Sequence, residues 1–161
     1  MEKIEWSRLS EDSLVFARKL FAGAPDLEEY AGMVKSIYSE DFHLVVQIVS
    51  PTGDPNRTIY IWMDEGCDPS IEFGSWHTHS DIQEDGEASI IRIVRSIQKG
   101  QRVLLHDPTG VSFGEYRVVD PSNAESLLGA LTSPSSSDSC FLKSWSGQND
   151  REIRLFDLDI E

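Results

Sequence analysis

No apolar run in this chain approaches the roughly 20 residues that a membrane helix requires. The opening Met1-Glu2-Lys3-Ile4-Glu5-Trp6 lacks the basic flank and apolar stretch of a signal peptide. A soluble, cytoplasmic protein is the expectation. Cysteine is scarce: Cys67 and Cys140 are the only two, and they form no CxxC or other ligand spacing. A reduced pair is expected, and the acids Asp64, Glu65 and Asp68 around Cys67 disfavour a thiolate nucleophile there. The chain also has no P-loop and no G-x-G-x-x-G, so nucleotide hydrolysis has no foothold. Basic residues are missing altogether between Asp64 and Glu87.

What is present is an ordinary globular composition, 39% apolar and 26% charged over 161 residues. A chain of that size buries roughly two-thirds of its unfolded surface without disulfides or a structural metal, so residues 1–161 are read as a single domain. The net charge of −14 is unevenly spread: residues 1–87 hold 18 acids against 6 bases, and residues 88–161 hold 10 against 8. Its densest part carries Asp64, Glu65, Asp68, Glu72, Asp81, Glu84, Asp85 and Glu87. Such a field repels phosphate backbones and anionic lipid, and it speeds encounter with a basic protein or a cation. Neither nucleic acid nor a membrane is an expected partner.

Hydrophobic periodicity outlines an α+β domain, a mainly antiparallel sheet flanked by about three helices. Ser10 is a candidate N-cap for a helix carrying Leu14, Ala17, Leu20 and Phe21 and stopped by Gly23 and Pro25. A turn of helix is expected within Asp26–Tyr30, and a weakly signalled strand at 33–38. Strands are then expected at 42–49, 57–63 and, as one continuous element, from Ser70 to about Thr78; the short connections between them imply a meander. A second helix over 87–99 shows an apolar stripe of Ile90, Ile91, Val94 and Ile97. Strands at 101–106 and 111–119 flank the turn Asp107-Pro108-Thr109-Gly110, and a third helix begins at Asp120-Pro121. Residues 132–139 read as a flexible surface loop. The last two strands, 140–146 and 151–158, read as a C-terminal hairpin that completes the main sheet.

One segment carries chemistry. In an extended strand alternate side chains share a face, so His77 and His79 of Trp76-His77-Thr78-His79-Ser80-Asp81 project together, opposite Trp76 and Thr78. Two imidazoles plus Asp81 would make a divalent-metal site, with zinc the first candidate and Glu84 or Asp85 within reach. His43 and His106 are further candidates for convergence on the pair. The competing reading makes these histidines hydrogen-bonded residues at a strand end. The segment is then the centre of an acidic binding surface formed by Asp64, Glu65, Asp68, Glu72, Trp76, Asp81, Glu84 and Asp85.

His77-Thr78-His79-Ser80-Asp81 at a strand end, leading into a helix, resembles the core of the JAB/MPN metalloproteases, in which His-Ser/Thr-His-Pro is followed by Ser-x-x-Asp. Here Ser80 stands for the proline, and Ser89-Ile90-Ile91-Arg92 puts an arginine at the third ligand. The longer run Ser70 to His79, together with Lys143-Ser144-Trp145-Ser146-Gly147-Gln148-Asn149-Asp150-Arg151, resembles small uncharacterised bacterial proteins with an aromatic-His-Thr-His segment. Some of these are interpreted as immunity proteins of polymorphic toxin systems. That resemblance implies a cytoplasmic protein that binds a basic partner, such as a toxin, without catalysis. The alternative is a metal-dependent hydrolase that uses the His77/His79 pair.

Overall fold

The computed structural model describes residues 2–37, 39–63, 68–74, 76–78, 86–106, 117–123, 139–148 and 150–154. Ten strands and two α-helices lie within them: β1 (Glu2–Lys3), α1 (Glu11–Gly23), β2 (Ala31–Lys35), β3 (Phe42–Ile48), β4 (Ile59–Met63), β5 (Ser70–Phe73), β6 (Trp76–Thr78), α2 (Gly86–Gln98), β7 (Val103–His106), β8 (Arg117–Val119), β9 (Ser139–Lys143) and β10 (Arg151–Arg154). Short 3₁₀ turns occupy Trp6–Arg8, Pro25–Tyr30 and Pro55–Arg57. The strands form two antiparallel sheets, ordered β1-β2-β3-β4-β5-β6 and β10-β9-β7-β8. The α+β class and the meander expected from the sequence are therefore present.

α1 starts where Ser10 caps it, its side chain accepting the Ser13 N–H at 3.3 Å, with Glu11 and Asp12 in the first turn. Its buried seam is Ser13, Phe16, Ala17, Leu20 and Phe21. α2 buries Ile90, Ile93, Val94 and Ile97, the spacing of one helical face. Ile93 takes the place expected of Ile91 in that stripe, and Ile91 is half-buried. Both seams pack with Leu27 against one face of the six-stranded sheet: Leu44, Val46 and Ile48 of β3, Ile59, Ile61 and Met63 of β4, and Ile71 and Phe73 of β5. Each such fully buried aliphatic side chain contributes about 1.5–3 kcal/mol. A polar stitch crosses the layer as well: the buried Ser13 hydroxyl donates to Met63 O and accepts from Leu44 N–H, both at 3.1 Å.

Two expectations are corrected. The strand expected from Ser70 to Thr78 is broken at Gly74, whose φ of 62° lies in the left-handed region that favours glycine, and the chain reverses there so that Phe73 pairs with Trp76. The C-terminal hairpin, β9 with β10, does not complete the main sheet. β9 pairs instead with β7, whose other edge holds β8, and a separate four-stranded sheet results. The weak strand expected at 33–38 lies at 31–35. Ser139 opens β9, while 132–138 of the expected loop, the 107–110 turn and most of the third expected helix lie outside the described residues.

The two sheets are joined by apolar packing of Val118 of β8 and Trp145 against the main core, and by polar contacts around Arg57, which follows the β3–β4 turn. Its Nε donates to Asp54 Oδ2 at 3.0 Å, its Nη1 to Ser144 O at 3.0 Å, and its Nη2 pairs with the Asp150 carboxylate. Asp150 in turn accepts the Ser144 N–H at 2.8 Å, and Ser50 Oγ donates to Trp145 O at 2.6 Å. Gly147 sits in this contact with φ 76°, where a Cβ would meet Thr52 Cγ2 at 2.9 Å. The Ser144-to-Asp150 motif is thus a turn shaped to receive Arg57. Arg151 donates to Pro121 O at 3.5 Å.

Burial works to raise the Asp150 carboxyl, but the Arg57 guanidinium and the Ser144 N–H outweigh it and hold it below the usual carboxylate range. The Asn56 N–H, then Arg57, do the same for Asp54. A carboxyl depressed in the folded state stabilises above its unfolded value of about 3.9, and that contribution is lost as pH falls through the folded value. Asp150→Asn should therefore cost about 2 kcal/mol at neutral pH, measured by urea denaturation, with the deficit shrinking below about pH 4. A deficit of equal size at pH 7 and pH 3 would remove the carboxylate charge from the account.

Candidate functional site

The face of the six-stranded sheet away from the helices is set by strand parity. In β4 Ile59, Ile61 and Met63 are buried in the core while Tyr60 and Trp62 are half-buried on the other side. The antiparallel register then carries one row across four strands, Gln47 opposite Tyr60, Tyr60 opposite Glu72, and Glu72 opposite His77. A second row holds Val45, Trp62 and Ser70. Tyr60 and Trp62 stack, ring centroids 5.6 Å apart and 24° from parallel, and Gln47 Nε2 donates to Tyr60 Oη at 3.1 Å. Val34 and Val49 lie at 41% and 54% exposure toward the edges of the same face.

The turn at Gly74 decides which groups meet. Along one straight strand Glu72 and His77, five positions apart, would point to opposite faces. The two-residue reversal places them side by side on one face, where directly opposed side chains have Cβ atoms about 4.5–5.5 Å apart. His77 is exposed; Trp76 and Thr78 lie on the core side, with Trp76 packed against the hydrophobic core and Thr78 buried. The opposition of His77 to Trp76 and Thr78 expected from the sequence is thus seen in β6.

Of the other expected site residues, Asp68 is exposed just before β5, and Glu72 is half-buried in the row described above. Asp64, Glu65, His79, Asp81, Glu84 and Asp85 lie outside the described residues. Glu87 at the start of α2 is engaged by Lys19 at 3.3 Å. His43 shares the face of His77 but does not converge on it: three strand spacings and four residues along the sheet separate them, roughly 19 Å. His106 belongs to the other sheet, opposite Phe141. Ser89 is buried, and Arg92 Nη2 donates to its Oγ at 3.2 Å, so the arginine that stands at the metalloprotease ligand position is turned onto its own helix.

Among the described residues, no group of three or more His, Cys, Asp or Glu is placed to hold a metal ion, and no helix is long and apolar enough to cross a membrane. No family model, curated protein or solved structure matches this chain. Function is therefore argued from the site's own chemistry. That site is an aromatic sheet face on which strands β3 to β6 bear one described carboxylate, Glu72, and no described Lys or Arg, while Lys3 of the edge strand β1 lies in the same row as Trp62. Tyr60, Gln47 and the Glu72–His77 pair escape a sequence reading that takes 70–78 as one strand. The signal for them is the pair Gly74-Ser75 between two β-rich runs.

Gly74→Ala tests the reversal. A β-carbon at φ 62° should cost about 1 kcal/mol, lowering the melting temperature by about 2–4 °C in a domain of this size. Stabilisation instead, as expected where alanine fits the backbone unstrained, would contradict the turn.

Proposed function

We propose that the chain is an acidic partner-binding protein whose partner is a basic protein, in the manner of an immunity protein that neutralises a basic toxin. The observation that carries this reading is the charge distribution: residues 1–87, which contain the whole six-stranded sheet, hold 18 acids against 6 bases. Such a field accelerates encounter with a cationic surface and disfavours nucleic acid and anionic lipid. The helix-free face of that sheet supplies the aromatic and aliphatic surface that protein interfaces use at their centres. Compartment and bacterial origin enter this proposal through the toxin setting alone.

The test is co-expression with any toxin encoded by a neighbouring gene. Relief of growth arrest is expected, together with a complex whose association rate falls at least about tenfold between low and physiological salt. No protection, or association indifferent to salt, would overturn the reading. So would near-stoichiometric zinc in untagged protein that is lost in a folded His77→Ala/His79→Ala variant, because that result belongs to a metal-dependent hydrolase.

A further inference from the structure

Resting on the basic-partner reading, we infer that the Tyr60–Trp62 stack with Glu72 is the seat of an arginine side chain of that partner. The stack is half-buried, lies on the sheet face opposite α1 and α2, and has no described cation on it. A guanidinium laid over these rings gains the attraction of their π faces, the more so the further it is desolvated. Its donors then need an acceptor at the rim. Glu72 stands directly opposite Tyr60 and diagonal to Trp62, and diagonal neighbours about 7–8 Å apart are within reach of long side chains.

Arginine suits this seat better than lysine, since its planar, weakly hydrated fork stacks and forms paired hydrogen bonds to a carboxylate, whereas an ammonium remains a hydrated point charge.

Nona-arginine and nona-lysine peptides of equal charge, titrated calorimetrically against the full chain at low salt, separate stacking from bulk attraction. The wild type should bind nona-arginine about threefold to tenfold more tightly than nona-lysine. Trp62→Leu, which keeps an apolar strand residue, and Glu72→Gln should each erase most of that preference. If Trp62→Leu does not fold, Glu72→Gln decides alone. Equal affinity of the two peptides, or a preference that survives in the folded variants, overturns the arginine seat and leaves the basic-partner reading standing. Binding of neither peptide overturns both.

Discussion

The guanidinium of Arg57 is the polar contact that ties the two sheets together, beside the apolar packing of Val118 and Trp145 against the main core. It reaches from the β3–β4 turn to Asp54, to the Ser144 carbonyl and to Asp150, and its side chain is only 13% exposed. A charge so enclosed is tolerable only when its donors are matched, and here two carboxylates and a backbone carbonyl match them. Because Asp150 also accepts the Ser144 N–H, the same ion pair shapes the turn between β9 and β10. The second sheet is thereby held through the end of its hairpin as well as through its apolar contacts with the core.

This placement separates structural from functional meaning in the two motifs that stand out in the sequence. Lys143 to Arg151 has as its physical content a receptor for Arg57: a glycine with positive φ, a backbone carbonyl and one carboxylate. The segment around Trp76 to Asp81 differs. Where described, it is divided by strand parity into a core-side aromatic, Trp76, and an exposed imidazole, His77, beside Glu72. Trp76 thus contributes to packing, while the aromatic surface opposite the helices comes from Tyr60 and Trp62 on β4.

Elements with strong periodicity and clear punctuation were legible from the sequence. Ser10, Glu11 and Asp12 mark the start of α1, and β3 and β4 stand where β-branched and aromatic residues cluster between turn residues. Less legible was anything decided by pairing. The Gly74 reversal involves only two residues inside a run that otherwise reads as strand, and the choice of β7 over β6 as the neighbour of β9 depends on contacts far apart in sequence. The candidate site suffered most from this: its Glu72–His77 pair exists only because of the reversal, and its stacked rings become neighbours of Glu72 only through the β4–β5 register. A side chain such as Arg57, one of 14 bases, carries no local mark of the role that tertiary contact assigns it.

The attachment of the second sheet through Arg57 is tested most directly by native-state hydrogen exchange on a folded Arg57→Ala variant. Loss of the ion pair should open the hairpin locally, speeding exchange of the β9 amides and of Ser144 by about tenfold or more, the equivalent of about 1.4 kcal/mol, while β3 and β4 keep their protection. An equal change in both sheets, or none in β9, would contradict the account.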